Sequence, residues 1–233
     1  MVPAYNEAAR LPVTLPKLAQ FCEAHGSVEL LLVDDGSTDA TAAVIRDFAA
    51  RHPFARLLQN SGNRGKGYSV RHGMQKAQGD WILLTDADLS SPLEEVAKLV
   101  AAAAREQAAG AIGSRALDRS LVGVHQAPFR EWSGRLFNVV MRAVTGLPFR
   151  DTQCGFKLYR RDAAEIVFPR QRLDGFGFDV EDLLIARLHG FKIVEVPVRW
   201  DNVEGTKVSA LTGARAFWDL AIVRWNQFCG RYR

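Results

Sequence analysis

Two aspartates one residue apart, Asp86 and Asp88, follow the run Trp81-Ile82-Leu83-Leu84-Thr85. Such a short apolar run reads as a buried strand of a parallel sheet. In an open α/β sheet, ligands sit outside the carboxyl ends of the strands. Two carboxylates at that edge cannot both enter the core, because an unpaired buried charge is very costly. They suit a hard cation, since Mg²⁺ and Mn²⁺ commonly combine one or two carboxylates with the phosphates of a substrate. The stretch also suits a plainer role, with Asp88 or Ser90 capping a helix that Pro92 opens.

Other candidate groups stand at comparable places. A second buried strand over residues 29–33 ends in Asp34 and Asp35, followed by Gly36-Ser37-Thr38-Asp39. Asp39, or Ser37 or Thr38, is most simply the N-cap of the helix that follows, to about residue 51. Gly62, Gly65 and Gly67 with Lys66 resemble a phosphate cradle at a helix start. Their spacing is not the Walker pattern, which argues against a P-loop nucleotidase. Asp179, Glu181 and Asp182 open a later helix, where negative charge offsets the helix dipole. Three acids in one turn exceed what capping needs, so one of them could act as a base.

The elements that must position these groups alternate. Pro3 to Glu7 reads as the loop after a first strand, for which the sequence offers only Met1 and Val2: the strand is very short, or native residues precede it. Helices are predicted over residues 11–25 and 93–107, and strands over 54–58, 81–85 and 111–114. Strand and helix in alternation with short loops predict a right-handed, mostly parallel sheet. The strand ends near Pro3, Asp34 and Asp86 then share one rim. In the second half, residues 154–159 and 191–198 read as strands and the acidic segment from Asp179 as a helix stopped by Gly190.

Two further segments are amphipathic. Over residues 119–147, Trp132, Leu136, Val139, Val140, Ala143 and Leu147 recur at helical spacing, widened by Phe137 and Met141. Over 210–233, Ala214, Trp218, Ala221, Trp225 and Phe228 share a face, with Arg215, Arg224, Arg231 and Arg233 among them. Apolar stripes of this kind suit a core, and with basic flanks they suit a membrane interface equally.

Composition narrows the class. At 233 residues, 48% hydrophobic and 24% charged, the chain fits one large soluble α/β domain. It is read as residues 1–233 in a single domain with two halves, 1–115 and 116–233. The net charge of +4 is matched by residues 115–150 alone, where six arginines face Asp118 and Glu131. Cys22, Cys154 and Cys229 lack metal or disulfide spacing and indicate a reducing compartment. No signal peptide or spanning run is present, so the reading is cytoplasmic, compatible with a peripheral place on the cytosolic face of a membrane. No interleaved aromatic platform marks a nucleic-acid surface.

Eight strings in order, VPAYNE, VDDGSTD, NRGKGYSVRHGM, DADLSSP, GSR, RDTQCGFK, GFDVEDLL and EGTKVS, make the chain resemble family 2 of the inverting glycosyltransferases, which have the Rossmann-like GT-A fold. DTQCGFK and FDVE are most similar to the dolichyl-phosphate glucosyltransferases, with the polyprenyl-phosphate mannose synthases a step further away. The resemblance implies that Pro3, Tyr5 and Glu7 line the nucleotide site and that Val33 and Asp35 contact base and ribose. It places Asp86 and Ala87 at the donor ribose or sugar and Asp88 on the metal, Mg²⁺ or Mn²⁺, with Asp86 beside it. Arg115 and Lys207 would neutralise donor phosphates, with Lys66 nearby.

That assignment gives three hypotheses. The first is metal-dependent transfer of glucose from UDP-glucose to a polyprenyl or dolichyl phosphate, an anion able to attack C1 without a base, at an anionic membrane surface. The second is attack by a hydroxyl of a polysaccharide or glycolipid acceptor, which needs Asp179, Glu181 or Asp182 as base. The third is a non-catalytic binding module. A GDP-mannose-dependent synthase is the variant of the first, because no residue separates uracil from guanine.

Overall fold

The computed structural model describes residues 1–124, 128–203 and 210–233. Strands β1 (Val2–Ala4), β2 (Leu30–Asp34) and β3 (Ala55–Gln59) pair in parallel, with helices α1 (Leu11–His25) and α2 (Thr41–Arg51) between them. All five residues of β2 are buried, because its two faces feed two cores. Leu30 and Leu32 pack with Leu11, Leu15 and Leu18 of α1 and Ile45 and Phe48 of α2. Leu31 and Val33 join Val70 and Met74 of the next helix, α3 (Lys66–Lys76). A strand covered on both sides must be apolar throughout, which is why this run does not alternate.

After α3 come β4 (Trp81–Thr85), α4 (Val96–Arg105), β5 (Gly110–Ser114), β6 (Val122–Val124), α5 (Pro128–Thr145), β7 (Phe156–Arg160), α6 (Arg161–Arg170), α7 (Phe178–Leu188), β8 (Ile193–Pro197), β9 (Trp200–Asp201) and α8 (Ala210–Phe228). The Met1 ammonium donates to the Leu83 carbonyl and Thr85 N–H to the Met1 carbonyl, so β4 lies beside β1. The sheet continues in the order β4-β7-β5-β8. Strand β7 runs antiparallel to both its neighbours, and β5 parallel to β8. Its alternation is strict: Phe156 and Leu158 enter the core against α4, while Lys157 and Tyr159 turn to α7.

Helix α1 and strand β4 have the predicted bounds, and most other elements lie within one or two residues of theirs. The helix expected from residue 119 instead begins at Pro128. Asp118 caps a 3-10 turn at Arg119–Leu121, and Val122 and Val124 pair with Trp200 and Asp201 in a small parallel ribbon. The amphipathic stripes also resolve differently from a simple core. In α5, Phe137, Met141 and the following Leu147 turn inward, whereas Trp132, Leu136 and Val139 are exposed. In α8 the buried side is Ala216, Leu220 and Val223, and the predicted stripe points outward with Trp218 at 69%, Trp225 at 59% and Phe228 at 82% exposure. The two helices meet through Phe137 and Phe217, edge to face at 5.4 Å between centroids. Among the described residues, no helix is long and apolar enough to cross a membrane.

The segment between α6 and α7 locks the start of α3. Gln171 donates to the Gly67 carbonyl at 2.8 Å and Arg71 pairs with Asp174 at 2.7 Å. A Cβ at Gly67 would lie 2.4 Å from the Leu173 carbonyl oxygen, so the approach is open only to glycine. Gly67→Ala is expected to lower stability by about 1–3 kcal/mol, in the range of overpacked sites. Urea unfolding of the two proteins checks this, and equal midpoints would refute the close approach.

Candidate active site

The loops after β1 and β2 are joined into one rim. Asn6 takes a left-handed conformation, φ 52°, which its type tolerates better than most. Its N–H donates to Ser37 Oγ at 2.9 Å, and its Oδ1 accepts from Thr38 N at 2.8 Å. Glu7 N donates to Thr41 Oγ1 and Ala8 N to Asp39 Oδ2. Asp39 also accepts from the N–H and hydroxyl of Thr41 through Oδ1. The N-cap position of α2 is Ala40, without a side-chain cap, and Asp39 just before it instead ties the helix start to the neighbouring loop. Tyr5 and Glu7 lie on this joined rim, half-buried, with Pro3 in the strand just before it.

Asp35 is buried and accepts three hydrogen bonds: from Asn60 Nδ2 at 2.8 Å, Arg64 N at 3.0 Å and Gly65 N at 2.8 Å. It draws the glycine-rich loop onto the rim and orients the start of α3, which carries Lys66. Val33 has no exposed surface and sits between Pro3 and Leu58 in the sheet. Its side chain belongs to the core, so its backbone is what a ligand could meet.

Strand β4 ends at Thr85, and residues 86–89 form a turn closed by Leu89 N–H on the Asp86 carbonyl at 3.1 Å; Asp86 and Asp88 both act electrostatically on Lys66. Ala87 is buried, and its carbonyl accepts from Thr14 Oγ1 at 2.7 Å. Asp88 accepts from Ser90 N at 3.0 Å within the loop and keeps its other oxygen for a ligand; neither it nor Ser90 caps the following helix, whose first turn has Pro92 at the N-cap position and no side-chain cap. Between Asp88 and Ser90 stands Leu89 at φ 48°, a conformation costly for a bulky residue and typical of functional loops. Lys66 Nζ lies 2.7 Å from Asp86 Oδ1, the carboxylate being one-third exposed. A missed residue fixes that carboxylate. A Cβ on Gly155 would fall 2.1 Å from Asp86 Oδ2. The only sequence signal was a glycine inside the predicted strand 154–159; the strand itself starts one residue later, at Phe156.

Arg115 is held by Asp151, Nε to Oδ2 at 2.7 Å and Nη2 to Oδ1 at 2.8 Å, and lies over the Trp200 ring. The Arg115 guanidinium in turn holds the buried Asp151 carboxyl below its usual range, against the effect of desolvation. Asp151 leaves Nη1 of Arg115 unused. Lys207 lies outside the described residues.

The three acids of α7 have separate fates. Glu181, with no exposure, accepts from Arg172 N, Leu173 N and Tyr232 Oη, so it organises the loop before α7 and the chain's end. Asp182, also fully buried, accepts from Tyr159 Oη at 2.8 Å and from Leu183 N. Asp179 pairs with Lys157 at 2.6 Å. Of the three it alone acts electrostatically on both Lys66 and Arg115, from a buried position. Two carboxylates, Asp179 and Asp182, share one lysine here. Burial pushes the Asp182 carboxyl from its ordinary 3.8 up to about 7, with Lys157 opposing the rise and Asp179 adding to it.

The fit of a metal can be tested on these groups. Among the described residues, no three His, Cys, Asp or Glu side chains cluster as a self-sufficient metal site. Asp86 and Asp88 provide two carboxylates in the turn after β4, with Lys66 paired to one of them and influenced by both. That set suits a divalent ion that takes its remaining ligands from a diphosphate. An apolar cavity of about 220 Å³, lined by Met1, Phe21, Cys22, Glu29 and Trp81 among others, lies around the starts of β2 and β4 and contains none of the predicted site residues.

Two outcomes follow from this geometry. Gly155→Ala should displace Asp86 and weaken metal-dependent nucleotide binding at least about tenfold, roughly 1.4 kcal/mol, in a calorimetric titration; unchanged affinity would show that the carboxylate has room. Asp182 binds its proton more tightly folded than unfolded, so the fold loses stability as pH rises from 3.8 through about 7. Asp182→Asn cannot ionise, and its melting temperature should fall less than the wild type's between pH 5 and pH 8. Parallel melting curves would refute the tighter proton binding of Asp182 in the fold.

The sequence pattern named Glycosyl transferase family 2 matches residues 1–168. Dolichyl-phosphate beta-glucosyltransferase of Saccharomyces cerevisiae is 32% identical across all of this chain and 75% of its own length. The Mus musculus protein of the same name is 34% identical, again across the whole chain and 76% of its length. A Trichomonas vaginalis relative so named is 34% identical over 89% of this chain and 65% of its own. The chain thus spans about two thirds to three quarters of these relatives. Among solved structures, glucosyl-3-phosphoglycerate synthase from Mycobacterium tuberculosis in complex with Mn²⁺, UDP-glucose and phosphoglyceric acid superposes with a TM-score of 0.66, at 18% identity, over 96% of this chain and 78% of that one. Mannosyl-3-phosphoglycerate synthase from Rubrobacter xylanophilus gives 0.67 at 17% identity, over 99% and 74%. With the GT-A arrangement of strands, the paired aspartates at the rim and this family pattern over most of its length, the chain belongs to glycosyl transferase family 2.

Proposed function

We propose that the chain transfers glucose, with inversion, from UDP-glucose to a polyprenyl phosphate of the dolichyl type at the cytosolic face of a membrane. The observation that carries this reading is the likeness over the whole chain to proteins named dolichyl-phosphate beta-glucosyltransferases. The residues at the rim are consistent with it. The leaving diphosphate gains negative charge as the glycosidic bond breaks, and groups that meet that charge in the transition state accelerate the step. Asp86 and Asp88 would hold Mg²⁺ or Mn²⁺, which when bound supplies Lewis-acid neutralisation of the diphosphate. Lys66, Nη1 of Arg115 and Lys207 would complete the positive surroundings. Tyr5 and Glu7 are assigned to the nucleotide, and Pro3, Val33 and Ala87 to its backbone surroundings.

A phosphate acceptor needs no base from the protein. That matches the engagement of Glu181 and Asp182 in structural hydrogen bonds. A hydroxyl acceptor would have to rely on Asp179, whose charge is committed to Lys157. The membrane part of the proposal rests on the outward faces of α5 and α8, where Trp132, Leu136, Trp218, Trp225 and Phe228 are exposed, with Arg135, Arg142, Arg215 and Arg224 also at the surface. Amphipathic helices with tryptophans and arginines bind anionic interfaces by this combination. Helix α8 also reaches the site: Asp219 packs so closely on Gly177, at the head of α7, that a Cβ there would lie 2.5 Å from its own.

The test is transfer of radiolabelled glucose from UDP-glucose to a polyprenyl phosphate in anionic vesicles with Mn²⁺. A solvent-extractable product is expected, with kcat/KM lowered at least about 100-fold in Asp88→Ala, some 2.7 kcal/mol. Replacement of Trp218 and Trp225 by Ser should reduce co-sedimentation with the vesicles. No glucolipid with any polyprenyl phosphate, or product from GDP-mannose alone, would overturn the proposal.

A further inference from the structure

Asn60 and His72 stand on either side of the glycine-rich loop, and no step outlined above uses either. Asn60, just after β3, is buried, and its N–H donates to the Asp34 carbonyl at 2.9 Å. Its Nδ2 donates to Asp35 Oδ1 at 2.8 Å and to Ser69 Oγ, in the first turn of α3, at 2.9 Å. Asn60 Oδ1 lies 2.8 Å from Nδ1 of the half-buried His72, a turn further along α3. Chemistry fixes the direction of these bonds. Both oxygens of Asp35 accept from backbone N–H groups, and an ionised carboxylate only accepts, so the Asn60 amide must turn its NH₂ to Asp35 and its carbonyl to His72. Nδ1 of His72 therefore carries a proton, and Nε2 is the bare nitrogen of the neutral ring.

Stability alone does not account for this relay. The donors that Asp35 meets, Asn60 Nδ2, Arg64 N and Gly65 N, are all neutral, and burying a carboxylate costs far more than burying an amide. A carboxylate has about four acceptor sites, so three donors leave about one for a ligand. Asp35 stands where that ligand is expected, at the end of β2, with its N–H on the Ala4 carbonyl at 2.9 Å. An amide flip at Asn60 would set its carbonyl against the Asp35 carboxylate, two acceptors face to face. The proton on His72 Nδ1 opposes that flip, because the turned amide would bring N–H against N–H.

We propose that Asn60 is a positioning residue for the nucleotide part of the donor, and that His72 sets the orientation in which Asn60 works. Together they hold Asp35, and with it the backbone of Arg64 and Gly65 ahead of Lys66, in the place that the nucleotide meets. The inference deepens the function proposed above and rests on its donor site. Neither side chain touches the acceptor side, so donor and acceptor should respond differently to their loss.

Calorimetric titration of UDP-glucose with Mn²⁺, well below the melting temperature, tests it. Asn60→Ala should lower the affinity about tenfold, in the range of a hydrogen bond to a charged group. His72→Leu, which removes the Nδ1 donor and frees the amide to flip, should lower it about three- to fivefold, whereas His72→Asn, whose Nδ2 takes the place of Nδ1, should stay within about twofold of wild type. KM for UDP-glucose should rise by the same factors while KM for the polyprenyl phosphate holds. At pH 8, above the titration of an imidazole whose pKa burial lowers, the ring ¹⁵N shifts should place the proton of His72 on Nδ1. A purely structural pair would lower the melting temperature and leave donor affinity unchanged, and that result overturns the proposal. So does a His72→Asn variant as weak as His72→Leu, or a proton found on Nε2. If the alanine variant does not fold, the histidine variants decide. A wild type that binds GDP-mannose in place of UDP-glucose overturns the donor reading alone, and the same comparison is then made with GDP-mannose.

Discussion

The structure depends on one electrostatic constraint. Negative side chains must stand together at the edge of a buried sheet, near the place where a still more negative diphosphate is to be received. Carboxylates gathered in a low-dielectric setting repel each other and are driven to take up protons. Here they are interleaved with ammonium groups: Lys66 faces Asp86, and Lys157 faces Asp179 and Asp182. The site is thereby kept near neutral balance before any ligand arrives. Under the proposed function, a divalent ion and the diphosphate of the donor would then enter together without leaving a large uncompensated charge.

Backbone geometry does the rest of the positioning. Asp86 can occupy its place because Gly155, just before β7, has no side chain to exclude it. Lys66 is aimed by a loop that Asp35 gathers from one side and the 171–174 segment closes from the other. That segment is fixed in turn by Glu181, whose remaining acceptor binds Tyr232 near the end of the chain. First half and second half are thus joined by hydrogen bonds to backbone atoms at the rim, where side-chain packing alone would tolerate small displacements. A shift of one ångström at such a rim is enough to misplace a reacting group.

The fold was legible because its signals are local. Buried runs such as Trp81 to Thr85 and stops such as Gly26 and Gly190 are written in consecutive residues, and so is the placement of Asp86 and Asp88 at a strand end. What escaped depends on residues distant in sequence. Val122 to Val124 looks helical in a window that omits its partner, Trp200-Asp201. Nothing near Lys157 says that it will be buried, since the acids that accept it lie 22 and 25 positions on. The stripe in α8 was found with its correct spacing, yet periodicity states only that one face differs from another. Which face is inside was settled by Leu220 and Val223, small enough to pack where Trp218 and Trp225 are not.

The acids of α7 show why charge counts mislead at a helix start. Asp179, Glu181 and Asp182 form one cluster in sequence, and each would benefit equally from the helix dipole. Yet residues one apart on a helix are separated by about 100°, so the three cannot share one environment. Glu181 faces the loop and the chain's end, Asp182 the sheet, and Asp179 the boundary between sheet and cleft. Asp179 and Asp182, three apart, fall on neighbouring positions of the turn and share Lys157, while Glu181 stands apart from both. The position of an acid on the helical turn, more than the number of acids, determines what it can do.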